Sequence, residues 1–167
     1  MTNPLYDTLF GQHQGKTTPF LEMADGTVIT HSDYLQLAAQ YAHVFTQLGV
    51  KPGDRVAVQI GKSPQALAIY AACVQAGIVF LPLNTAYTAD EVSYFVENSG
   101  ARVILCDEKR SEALKPIAKA TDAVLETMNN DSSGSFTLTL DDRFFADNPG
   151  NTSVDTHALA FGSRIAR

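Results

Sequence analysis

The chain has 167 residues, 45% of them hydrophobic, which suits one well-buried domain and not a disordered chain. Twelve basic residues against 18 acidic ones leave a net charge of −6, with no basic run longer than Lys109-Arg110, so nucleic acid is not an expected partner. The amino terminus lacks a charged start followed by an apolar run, and no window approaches the roughly 18 apolar residues of a membrane span, so a soluble, cytoplasmic protein without membrane contact is expected.

In chain order, residues 4–10 predict a short helix and residues 20–30 a hairpin, in which Asp25-Gly26 suits a tight type I′ turn. Thr30 or Ser32 caps the next helix. Tyr34, Leu37, Tyr41, Phe45 and Leu48 recur on one face of it, and Gly49 stops it. After a turn at residues 51–54, residues 55–60 read as the first strand of a parallel sheet. Ser63-Pro64 then opens a helix, by cap and first-turn proline, that is apolar nearly all round and therefore buried.

Residues 78–83 form a six-residue apolar run ending at Pro82-Leu83, expected to be a central strand buried on both faces. Residues 84–87 leave it as a loop, and Thr88 with Glu91 is a capping box for the helix carrying Val92, Phe95 and Val96. Residues 101–107 are a third strand. Residues 111–120 are a helix that Pro116 should kink or shorten, and residues 123–127 are a fourth strand. Strands alternating with helices predict an α/β fold, a mostly parallel sheet with flanking helices and a small hairpin near the amino terminus. Residues 129–153, rich in Asn, Asp, Ser and Gly, read as a surface loop holding the apolar residues Phe136, Phe144 and Phe145. Leu159-Ala160-Phe161 looks like the start of another strand.

Residue chemistry by itself names no reaction. The segment from Gly11 to Thr17 has the glycines and the Lys-Thr pair of a phosphate loop, but its spacing is one residue short and no strand precedes it. His13, His31, His43 and His157 are scattered without a metal-ligand spacing, so solvated or capping roles are expected. Asp90-Glu91 fits a helix start and Asp141-Asp142 a turn. The sequons at Asn130 and Asn151 mark surface loop, and Cys73 and Cys106 suit buried, reduced thiols. What remains is a loop at residues 84–87 at a strand's carboxyl end, the usual ligand position in such folds.

Two segments, Gln47 through Gly49, Pro52 and Gly53 to Ala57, and Ala72 through Gly77, Leu81 and Pro82 to Asn84, resemble the amino-terminal part of the adenylate-forming enzymes. This superfamily holds the acyl-CoA synthetases, firefly luciferase and peptide-synthetase adenylation domains. The run Leu81 to Thr88 with Glu91, Tyr94 and Phe95 is similar to malonyl-CoA synthetases in particular. The resemblance implies an ATP-dependent, AMP-forming ligase that activates malonate or a similar short acid, with ATP, Mg2+ and coenzyme A as cofactors of the parent enzyme. It also implies a phosphate loop directly after residue 161, where the chain instead reads Gly162-Ser163-Arg164 and ends at Arg167.

On that basis, residues 1–161 are expected to be an incomplete amino-terminal domain, and 162–167 a foreign tail from truncation or a frameshift. No residue of the chain is expected to be catalytic, cofactor-binding or metal-ligating, and the chain by itself is expected to be inactive. The remainder of a ligase is its candidate protein partner. The alternative expectation is a stand-alone, non-catalytic interaction module on the same fold. A small nucleotide-binding protein is a third.

Overall fold

The structure, a computed structural model, describes residues 3–136. The expectations for Asp141-Asp142, Phe144-Phe145, Asn151, His157 and the strand at Leu159 lie outside those residues.

Asn3 caps the first helix, α1 (Pro4–Leu9), by accepting from the Tyr6 amide, and a short 3-10 turn follows at Gly11–His13. Strands β1 (Pro19–Glu22) and β2 (Val28–Thr30) pair antiparallel as the expected hairpin. Its turn is not type I′, which would put both Asp25 and Gly26 at positive φ. Only Gly26 is there, at +83°. The Gly26 amide donates to Met23 O and the Met23 amide to Thr27 O, making a three-residue loop closed by a left-handed glycine. The Asp25 carboxylate accepts from the Thr27 amide at 2.9 Å and so stabilises that longer loop locally.

Thr30, not Ser32, caps α2 (His31–Gln47), in a reciprocal box with Asp33. Beyond α2 the chain alternates strictly: β3 (Arg55–Gln59), α3 (Pro64–Ala76), β4 (Val79–Pro82), α4 (Ala89–Ser99), β5 (Val103–Cys106), α5 (Glu108–Thr121) and β6 (Val124–Thr127). These four strands make an all-parallel sheet in the order β4-β3-β5-β6. Sheet residues of opposite parity feed two cores. Val56, Val58, Val103 and Leu105 pack with α2 and α3 on one face, and Ala57, Ile104 and Cys106 with α4 and α5 on the other. The fold is the expected α/β class.

Three further expectations are corrected. The run at 78–83 gives a strand at the sheet edge, not its centre. β4 pairs only β3 among the described residues, and Val79 is 49% exposed, whereas every residue of β5 is buried. The edge also explains Pro82. Val79 and Leu83 donate their amides to Asp54 O and Val58 O, so by strand alternation residue 82 faces away from β3, where a missing N–H breaks no ladder bond. Secondly, α5 begins three residues before residue 111, and Pro116 does not shorten it. Pro116 is exposed while Leu114, Ile117 and Ala118 are buried, so the carbonyl that loses its partner lies on the solvent side. Thirdly, α3 is buried over most of its surface, as expected, but leaves Leu67 and Tyr70 exposed.

Candidate functional site

From β3 the chain leaves towards β4 by way of α3, and from β5 it leaves towards β6 by way of α5 on the opposite face. Between two such diverging strands their carboxyl ends necessarily frame a crevice, the general ligand position of open α/β sheets. A cleft of about 290 Å3 lies at that end, lined by Gly61, Thr85, Asp107, Lys109, Arg110, Asn129 and Asn130. Each lining residue follows one of the four parallel strands.

Asp107 stands at the helix-capping position of α5 but does not cap it. Its Oδ2 is taken by Arg110 Nη1, and Lys109 Nζ stands 3.8 Å away. The capping is done instead by Asn129, from the loop after β6, whose Oδ1 accepts from the Glu108 amide at 3.0 Å. Arg110 also donates through Nη2 to Thr85 O, so one guanidinium joins the ends of β4 and β5. Asp107 Oδ1 is buried without a partner among the described residues. Asn130 packs against Gly61 so closely that a Cβ there would stand 2.2 Å from Asn130 Oδ1, and a larger residue at 61 would have to displace the Asn130 side chain.

The loop at residues 84–87, singled out from the sequence, forms one wall of this region and is held from below. Gln59, 1% exposed at the end of β3, donates Nε2 to both Asn84 O and Tyr87 O at 3.0 Å, and Asn84 Oδ1 accepts from the Ala86 amide at 2.9 Å. The capping box predicted at Thr88 and Glu91 closes the loop. Backbone and side-chain donation from Thr88 keeps the Glu91 carboxyl below its ordinary range, which marks a structural cap and not a general acid. The cleft as built offers two cations against one carboxylate, with amide and hydroxyl groups around them, a set able to receive an anionic or polar group but carrying no nucleophile–base pair.

The other sequence candidates lie elsewhere. The segment from Gly11 to Thr17 forms a 3-10 turn ahead of the hairpin, with Lys16 Nζ 3.4 Å from His13 Nδ1, and is not a phosphate loop. Cys73 and Cys106 are buried free thiols, pushed up by burial to about 12 and about 11. His13 and His31, expected to be scattered, stack with ring centroids 4.4 Å apart. The sequence places Phe136 in a surface loop. It is instead 1% exposed, with its ring 5.5 Å from Tyr41 and 5.1 Å from Phe45. Sequence pattern does not single out Asp107, Arg110 or Asn129. The signal available for them was positional, since in a parallel sheet the residues just after every strand share one edge.

The family model described as "AMP-binding enzyme" matches residues 11–160. The chain belongs to the AMP-binding enzyme family. Among solved members and relatives, the structure is similar to MatB from Rhodopseudomonas palustris, at 36% identity and a TM-score of 0.76 over 81% of this chain and 27% of that one; the ATP-bound form of MatB gives 0.77. A benzoate CoA ligase from Burkholderia xenovorans LB400 shares the fold at 18% identity and a TM-score of 0.62. A feruloyl-CoA synthase from an Amycolatopsis species is 34% identical over 93 residues, 56% of this chain. The chain spans about a fifth (19%) of that curated relative and about a quarter (27%) of MatB.

AMP-binding enzymes use ATP, so the fit of the described residues to a nucleotide and its metal can be judged. Among them no group of three or more His, Cys, Asp or Glu side chains could hold a metal ion. The strand-to-helix junction between β3 and α3, residues 60–63, has one glycine and no wrapping loop. No helix among them is long and apolar enough to cross a membrane.

Proposed function

We propose that this chain supplies the amino-terminal scaffold of an ATP-dependent acid–thiol ligase that makes malonyl-CoA through a malonyl-adenylate. In that reaction the carboxylate of the acid attacks the α-phosphate of ATP and pyrophosphate leaves. The thiol of coenzyme A then attacks the acyl carbon and AMP leaves. The described residues contribute position, not chemistry: Gln59 and Arg110 hold the 84–87 loop, Asn129 fixes the start of α5, and no side chain among them is arranged to move a proton.

The observation that carries the malonate assignment is a contrast. At nearly equal coverage of this chain, 81% and 78%, identity is 36% to MatB but 18% to the benzoate ligase, although both share the fold. The run Leu81 to Thr88 with Glu91, Tyr94 and Phe95, similar to malonyl-CoA synthetases, points the same way. Curated relatives carry other acids in their names, ferulate and fatty acids among them, so substrate is the part that needs direct measurement.

The experiment is a graft. Residues 3–136 replace the matching segment of R. palustris MatB, and AMP and acyl-CoA formation are followed with malonate, benzoate and ferulate. A folded graft that forms malonyl-CoA and ignores the aryl acids is the expected result. A folded graft that is dead overturns the scaffold reading; the malonate reading is tested on the full-length ligase that carries this segment, where AMP release with benzoate or ferulate but none with malonate overturns it. The 167-residue chain assayed by itself should release no AMP above background, and turnover there would overturn its assignment as scaffold.

A further inference from the structure

The amino-terminal segment is fastened to the body of the protein at one cluster. His13 ends the 3-10 turn and His31 begins α2; their rings are nearly parallel, at 9°, with centroids 4.4 Å apart. Lys16 Nζ stands 3.4 Å from His13 Nδ1, and Phe20 of β1 packs 5.1 Å from the other imidazole. Directly beneath, two backbone bonds join the segment to α2: the His31 amide donates to Thr18 O at 3.1 Å and the Ser32 amide to Lys16 O at 2.9 Å.

We propose that His13, His31 and Lys16 form an acid-sensitive latch that holds the segment before β1 against α2 at neutral pH and releases it on acidification. With both rings neutral, their faces stack and Lys16 can donate to the unprotonated Nδ1 of His13. Once both are protonated, three positive charges occupy one contact and that acceptor is gone. Around the pair, α1 presents Tyr6, whose hydroxyl is engaged by Gln14, and Asp7 beside Gly11. β1 presents Phe20, and the only carboxylate of the first turn of α2, Asp33, is committed to Thr30. Neither imidazole makes an ion pair with a carboxylate among the described residues. Partial burial, then Lys16, then His31 hold His13 below its ordinary value. A group whose pKa is lowered by folding contributes its stabilisation above the unfolded value, near 6.5, and loses it as the pH falls through the folded one.

Amide exchange on the full 167-residue chain tests this, with rates corrected for the intrinsic pH dependence. Between pH 7.5 and pH 5, protection at His31 and Ser32 should be lost in part, while Val56 to Val58 in β3 keep theirs. Replacing His31→Phe preserves a stacked ring without a second charge and should remove most of the fall; His13→Phe should do the same from the other side. Unchanged protection at Ser32 across that pH range, an equal loss in β3, or full acid sensitivity in both phenylalanine variants would each overturn the latch.

Discussion

The side-chain amide of Gln59 donates to the carbonyl oxygen of Asn84 at 3.0 Å, across the junction where β3 and β4 both end. A polar side chain buried to 1% exposure at the end of an otherwise apolar strand is there for its bonds, and Tyr87 O takes the same nitrogen. The loop between them therefore keeps its shape through a partner some 25 residues away in sequence.

Replacing Gln59→Met should keep most of the volume and lose the donor, costing about 1–2 kcal/mol of unfolding free energy. Gln59→Glu should cost more at neutral pH, because a carboxylate would face two carbonyl oxygens in a buried site. Urea denaturation of both variants, with amide exchange at Ala86, checks the order. Equal stability of all three proteins would show that the loop does not depend on this contact.

Phe136 fills the space between Tyr41 and Phe45 and its amide donates to Thr127 O at 2.9 Å. Phe136→Ala should destabilise by about 3–5 kcal/mol, and Phe136→Leu by about 1–2 kcal/mol. The difference would appear as separate midpoints in chemical denaturation. Values below 1 kcal/mol for both, on the order of an exposed substitution, would place this ring outside the core.

Three carboxylates sit below their ordinary range because backbone or hydroxyl donors face them: Asp25 with Thr27, Glu91 with Thr88, and Asp131 with Ser133. A depressed folded pKa contributes stability that is complete above the unfolded values, 3.8 for the two aspartates and 4.5 for Glu91, and is lost as the pH falls through the lower folded ones. Stability measured from pH 6 downwards should hold with respect to these groups until about pH 5 and then decline. Thr88→Ala should flatten part of that decline and cost about 1 kcal/mol through the lost cap of α4.

Cys73 and Cys106 should be inert in the folded chain. With thiols raised by burial to about 12 and about 11, almost no thiolate exists at pH 8, and both sulfurs are closed to solvent. An aromatic disulfide reagent at pH 8 should modify neither within the time that urea-unfolded protein takes to lose both. Rapid labelling of one in the native state would show that its face of the sheet opens.

Much of the architecture was legible in local chemistry. Thr30 with Asp33, Ser63-Pro64, and Thr88 with Glu91 are helix starts because their side chains satisfy amides within three residues, and Gly49 and Gly100 stop helices at φ of +76° and +61°. Less legible was anything that depends on a partner far along the chain. Asn129 caps α5 from the loop after β6, where no nearby spacing announces it. The apolar run at 78–83 looked central because composition reports burial only on average; its strand is an edge that Pro82 tolerates.

The sequence by itself determined the order and kind of the parallel-sheet elements, most helix caps, and, through its resemblance to adenylate-forming enzymes, the family. Those follow from contacts within a few residues or from runs long enough to be specific. Only the tertiary structure decided which strand lies at the edge, that Phe136 belongs to the core, that His13 meets His31, and that Asp107, Arg110 and Asn129 share one cleft. Each of these joins segments by the crossing of strands and helices, and side-chain period and capping carry no information about which segments will meet.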